Sequence, residues 1–179
     1  MGFLLKISSV IDWVNDRLGW IANWFVLLAC LISAANAMSR YAFDISSNAW
    51  LEIQWYLFAA IVMMGASYTL KVNEHVRVDI LYTHMSERGK EWLDVLGTAI
   101  FLVPSMLVIS YYSWPFFMQS WQVQEISGNA GGLIRWPVKL LVPVGFFLVA
   151  MQGISEIIKR SAALRGYVRY ETHYERPLQ

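Results

Sequence analysis

The chain has 179 residues, 57% apolar and 15% aromatic, with a net charge of only +1. This length fits one small bundle rather than two domains, and the near-neutral balance gives no basis for a nucleic-acid partner. The placement of charge excludes more: Gly19–Ser39, Ile53–Leu70, Val95–Gln124 and Leu140–Ser155 contain no Asp, Glu, Lys, Arg or His. A hydrocarbon core of about 30 Å needs roughly 20 helical residues, and charge within it usually marks a pump, carrier or redox centre. The expectation is therefore an all-α membrane protein forming a single domain over 1–179, with four spans that carry no such equipment.

At the N-terminus, Phe3, Ile7, Val10, Ile11, Val14 and Leu18 recur every three or four residues, while Lys6, Asp12 and Asp16 fall largely elsewhere on the helix. This predicts a short amphipathic helix over 3–18 lying on the membrane surface, with Trp13, Trp20 and Trp24 at interfacial depth. The first span, 19–39, repeats the small residues Ala29, Ser33 and Ala37 every four positions, a face suited to close helix packing. Lys6 and Arg17 before an apolar run ending in Ala35-Asn36-Ala37 also resemble a secretory leader. A leader's apolar core is about 7–15 residues and this run is longer, so an uncleaved anchor is expected. Cys30, the only cysteine, lies inside the span, which leaves no intrachain disulfide or cysteine-based metal site.

Arg40 to Glu52 reads as a short loop, with Trp50 and Trp55 at the boundary of the second span, 53–70. Near its far end Gly65 and Ala66 again suggest tight helix contact. The loop Lys71–Asp94 is the most patterned polar segment. His75, Arg77 and Asp79 alternate with apolar residues and would share one face of an extended chain. They fit a network within the loop and a contact between subunits equally well. Val78, Leu81, Tyr82 and Met85 then take helical spacing, predicting an interfacial helix over 78–86, and Ser86 is a candidate N-cap for the helix that leads into the third span.

That third span, 93–118, overlaps an uncharged run of 30 residues, Val95–Gln124, about 45 Å as a helix and longer than the hydrocarbon requires. Pro104 is the expected kink, and Tyr111, Tyr112, Trp114 and Trp121 form an aromatic belt at its exit. The following loop carries Glu125, the glycine pair Gly131-Gly132, Arg135, Trp136 and Lys139; two adjacent glycines permit a sharp, left-handed turn. Glu125 and Arg135 fit ordinary loop charges as well as partner recognition. The fourth span, 138–158, precedes a basic tail, 159–179, that could touch anionic lipid. Four spans place eleven basic residues on the side of the termini and three, Arg40, Arg135 and Lys139, opposite, so both termini are expected to be cytoplasmic.

No chemistry is equipped. His75 and His84 lie in one loop and His173 near the C-terminus, so no pair can face across the bilayer to hold haem. There is no phosphate loop, no metal-ligand spacing and no nucleophile beside a base. The expectation is no enzyme, no catalytic residue, no metal and no cofactor. A membrane anchor for a redox enzyme stands as the rival reading, since its haem could lie elsewhere. A small independent channel ranks last, because Asn23, Asn36, Gln54 and Gln152 form no pore stripe.

The motif His75-Val76-Arg77-Val78-Asp79 after the second span, followed by Glu125-x-Ser127 and by Gly131-Gly132-Leu133-x-x-Trp136-Pro137-x-Lys139 before the fourth, resembles the small, DctQ-like membrane subunit of tripartite ATP-independent periplasmic (TRAP) transporters. The resemblance covers essentially the whole chain. Ile134-Arg135 stands where Leu-Pro is often expected in that family, a departure that bears on the shape of the loop. The resemblance implies a division of labour in the bacterial inner membrane: a large membrane subunit binds organic acid and sodium and moves as an elevator, and a periplasmic substrate-binding protein delivers the cargo. The small subunit would brace the stationary part, with membrane phospholipids as further contacts. His75, Arg77, Asp79, Glu125, Gly131, Gly132, Arg135, Trp136 and Lys139 are then candidate partner contacts.

Overall fold

A computed structural model describes residues 2–45, 47–74 and 85–166. Its helices are α1 (Gly2–Phe43), α2 (Asn48–Lys71), α3 (Glu87–Gly97), a π-helical turn (Thr98–Leu102), α4 (Val103–Gln122) and α5 (Trp136–Leu164). Helices α3 and α4 run on through the π turn, so four helical rods are long and apolar enough to cross a membrane. Each is longer than its uncharged run, because flanking charged residues continue the helix instead of ending it.

The first rod departs most from the sequence pattern. Residues 3–18 form no separate helix but the start of a 42-residue α1, about 63 Å long at 1.5 Å per residue. Its buried stripe is Ser8, Ile11, Asn15, Gly19, Ala22 and Ala29, while Phe3, Val10 and Trp13 point outward. The polar side of the amphipathic pattern thus faces the protein. A membrane surround supplies apolar contact to the exterior for nothing, but polar groups find partners only against another helix.

Ser86 caps α3 as expected, its hydroxyl accepting from the Gly89 N–H at 3.3 Å. Ser47 does the same for α2, accepting from Ala49. Pro104 follows the π turn, where the Val103 N–H reaches back to the Thr98 carbonyl. Proline lacks the donor that a regular α-helix would need there, and the wider turn absorbs that loss.

Helix α5 is the hub. It packs against α1, α2, α3, α4 and the π turn, and α1 also packs against α2. Two of its glycines make the close approaches: a Cβ on Gly145 would lie 2.7 Å from the Met63 Cβ, and one on Gly153 would lie 2.8 Å from Leu102 and Val103 side-chain carbons. The small residues marked from sequence sit differently. Ala29 is buried, Ser33 and Ala37 are exposed, and a Cβ on Gly65 would meet nothing within 4 Å. Ser33 and Ala37 line an open cleft of about 590 Å³ between α1 and α2, together with Asn36, Arg40, Leu51 and Gln54.

Candidate functional site

Charged side chains gather at the two ends of the bundle and leave its middle uncharged. At the basic end, where α1 begins and α5 finishes, α5 presents Gln152, Ser155, Glu156, Lys159 and Arg160, spaced by three and four and so aligned along one face. The Asp12 carboxylate accepts from Lys159 at 3.0 Å, from the Ser155 hydroxyl at 2.9 Å and from the Gln152 amide at 3.0 Å. Gln152 also accepts from the Asn15 amide at 2.6 Å, and the Ser8 and Ser155 hydroxyls meet at 2.7 Å. From the same face of α5, the buried Arg160 pairs with Asp94 and, at 3.2 Å, with Glu91, both on α3. Lys71 at the end of α2 pairs with Asp16 of α1. All four rods are therefore stitched together at this end by charge.

Lys159 and Arg160, read from sequence as the start of a basic tail, belong to α5 and are engaged in this network. Residues 167–179 of that tail lie outside the described residues. So do His75, Arg77 and Asp79 and nearly all of the interfacial helix expected over 78–86.

The other end is organised around Glu52, a buried carboxylate in the second turn of α2. One oxygen accepts from the Ser127 hydroxyl and from the Asn129 amide at 2.8 Å, and the other accepts from the Leu133 N–H at 2.7 Å. An ionised carboxylate is acceptor-only, and here it receives three donors from a single loop. The Asn48 amide donates to the Ala130 carbonyl at 3.2 Å, and the Tyr56 hydroxyl to the Ile134 carbonyl at 3.1 Å, completing the seat of the loop on α2.

Within the loop, Ile126 and Ile134 form an isolated antiparallel bridge. Its two hydrogen bonds run from Ser127 N–H to the Leu133 carbonyl at 2.9 Å and from Arg135 N–H to the Glu125 carbonyl at 2.8 Å. Proline at 135 would lack the second donor, so the residue that departs from the family pattern closes this bridge. Gly131 takes φ +70°, the left-handed turn the sequence pointed to. Gly132 lies so close to Ser127 that a Cβ would come within 2.4 Å of the serine Cβ.

Glu125 and Lys139 pair with each other, and the Arg135 guanidinium stands 3.7 Å from the same carboxylate. The Lys139 ammonium, hydrogen-bonded to Glu125 and charged, holds that carboxyl below the usual glutamate range. Lys139 also lies over the Phe116 ring at 4.3 Å. Trp136 stacks edge-on against Trp121 with ring centroids 4.4 Å apart, and Trp121 continues into Phe117 and Trp114. The structure thus brings Glu125, Gly131, Gly132, Arg135, Trp136 and Lys139 into one compact loop assembly.

Sequence reasoning did not single out Glu52, Asp12, Gln152 or Glu156 as site residues. A signal for α5 was present, because Gln152, Glu156 and Arg160 stand four apart. For Glu52 the only hint was its place beside an uncharged run. Among the described residues no group of His, Cys, Asp and Glu could hold a metal ion.

A family profile for the DctQ component of tripartite ATP-independent periplasmic transporters matches residues 29–163. The chain is 24% identical over 160 residues to the C4-dicarboxylate TRAP transporter small permease protein DctQ of Pseudomonas aeruginosa, covering 88% of this chain and 68% of that protein. It is 26% identical over 117 residues to the protein of the same name from Vibrio cholerae, covering 64% of this chain and 49% of that one. No solved structure matches it. Four apolar rods, the seated loop before the last of them and a profile match over well over half the sequence lead to one assignment: the chain belongs to the DctQ component family of tripartite ATP-independent periplasmic transporters.

Proposed function

We propose that this subunit is the stationary brace of a sodium-driven, binding-protein-dependent importer of an organic acid anion. It sits in the bacterial inner membrane with both termini cytoplasmic, a topology supported by the eleven-to-three split of basic residues across the spans. Its exposed apolar faces and the small residues Ser33 and Ala37 lie against the large membrane subunit, with phospholipid filling the gaps. His75, Arg77 and Asp79 contribute to the cytoplasmic side of that contact, and the loop 123–135 meets the substrate-binding protein. The C4-dicarboxylates named for the two relatives make that class the nearest expectation for the cargo.

The observation that carries this reading is the fate of the carboxylates nearest the spans. Glu52 is occupied by Ser127, Asn129 and Leu133, Glu156 by Lys159 and Gln152, and Asp94 by Arg160. Groups already committed inside the chain support helix geometry rather than cargo binding. The test is co-expression of this chain, affinity-tagged, with the large TRAP membrane subunit of the same source. A stoichiometric complex that survives detergent purification is expected; recovery of this chain alone would overturn the brace.

A further inference from the structure

We propose that the cleft between α1 and α2 holds a single zwitterionic phospholipid whose headgroup joins a phosphate to an ammonium, an inference that rests on the phospholipid contact of the reading above and deepens it. The carboxylates Glu52, Asp94, Glu125 and Glu156 all have partners inside the chain. Arg40 and Asp44 both line the cleft, yet among the described residues neither side chain has a hydrogen-bond or ion-pair partner, and they do not pair with each other. The Asn36 amide and the Ser33 hydroxyl, in the same wall, are equally without a partner there.

Depth along α1 sets the order of these groups. Ser33, Asn36 and Arg40 stand three and four apart and share one face of the helix, and Asp44 follows its last turn. Arg40 is the first charge beyond the uncharged run 19–39, with exposed Tyr41 and Trp50 at the same end, as at the polar boundary of a bilayer. Four helical residues carry Asn36 about 6 Å toward the hydrocarbon, and Ser33 lies deeper still. From water inward the wall therefore reads carboxylate, guanidinium, amide, hydroxyl. An aminophospholipid laid along it reads ammonium, phosphate, ester carbonyls and then acyl chains. The guanidinium fits the phosphate oxygens with paired N–H donors, the Asn36 amide can donate to an ester carbonyl, and the Asp44 carboxylate takes the ammonium.

Charge and size select this occupant. Arg40 and Asp44 cancel, so the cleft has no net charge. A zwitterion satisfies both, whereas an anionic lipid or a free phosphate would leave Asp44 facing negative charge, and such an unmatched group is what discriminates between ligands. The volume of about 590 Å³ falls in the range of about 300–1,000 Å³ typical of small-molecule sites. Leu51 of α2 supplies an apolar wall for the start of an acyl chain.

The experiment takes the full chain, purified in detergent and stripped of lipid, and titrates it with dioleoyl phosphatidylethanolamine, dioleoyl phosphatidylglycerol or inorganic phosphate, followed by native mass spectrometry. The wild-type chain should take up one phosphatidylethanolamine with a Kd about tenfold below that for phosphatidylglycerol. Arg40→Gln should raise the phosphatidylethanolamine Kd about tenfold, with the lipid-free Tm near wild type because the guanidinium has no partner to lose. Asp44→Asn leaves the cleft cationic and should reverse the preference toward phosphatidylglycerol. Equal binding of the two lipids by the wild-type chain, or a preference unchanged in both variants, overturns the proposal. Displacement of phosphatidylethanolamine by millimolar inorganic phosphate overturns it too, by marking a site for free anions. Loss of the large subunit from Arg40→Gln with lipid binding intact overturns it by placing the cleft at that protein interface. The titration needs no large subunit, so a chain that selects phosphatidylethanolamine and yet fails to co-purify with that subunit supports the site and overturns only the brace.

Discussion

The two ends of the bundle engage carboxylates for different purposes. At the basic end, acids and bases from different helices meet, Asp12 with Lys159, Asp16 with Lys71 and Asp94 with Arg160. At the loop end, Glu52 meets neutral donors from one short segment. The first arrangement fixes rods relative to one another, and the second fixes the shape of a surface. A transporter subunit that serves as a brace needs both: a rigid frame, and a defined face for what docks on it.

The contrast makes the two ends separable by mutation. The largest effect should come from Arg160→Ala. It leaves Asp94, Glu91 and Glu156 without the guanidinium that pairs with each of them, and removing one partner from a buried ion pair costs about 3–5 kcal/mol. Thermal unfolding of the purified subunit in detergent should show a Tm drop larger than for any loop variant. A drop equal to that of a loop substitution would break the distinction between frame and surface.

Next in size is Gly145→Leu. Its side chain would enter the space of Met63, and overpacking of this kind costs about 1–3 kcal/mol. The same thermal assay should place it below Arg160→Ala, with the loop before α5 keeping its wild-type resistance to protease.

Glu52→Gln should do the opposite. An amide cannot accept on both sides, so the Leu133 N–H or the Ser127 and Asn129 donors lose their partner. Cleavage of the loop near Gly131 should speed up by limited proteolysis while the Tm of the helices stays near wild type. A global loss of stability would show that the loop end also holds the frame.

The smallest effect is a pH response. The Glu125 carboxyl is held below its usual value of 4.5, chiefly by Lys139. A group with a depressed folded-state pKa contributes stability that is fully present above its unfolded value and is lost as pH falls through the folded one. Loop protection measured by hydrogen exchange should therefore be flat from pH 7 down to about 5 and weaken only in more acidic solution. Lys139→Met should move the onset of that weakening toward higher pH.

Much of the frame was legible in the sequence. Four uncharged runs marked the four rods, Ser86 marked a cap, and Pro104 marked the irregular turn, because span length, capping and proline chemistry are local. Which way α1 faced was not. The same three-and-four spacing describes an apolar face on a membrane and a polar face on α5, and only the partner Lys159, 147 residues away, decides between them. The loop residues Glu125 through Lys139 were singled out by motif, but their seat was not, since Glu52 meets Ser127 across 75 residues of chain. Close packing was legible in kind and only partly in place: Ala29 is buried, but the close approaches on α5 come at Gly145 and Gly153, and none is made at Gly65.

The central claim is that this subunit supports transport without performing it. Proteoliposomes holding this chain alone, or together with the large subunit and the substrate-binding protein, should be given a sodium gradient and a panel of labelled C4-dicarboxylates and related organic acid anions. Uptake confined to the full assembly is the predicted result; sodium-driven accumulation by this chain alone would contradict the account.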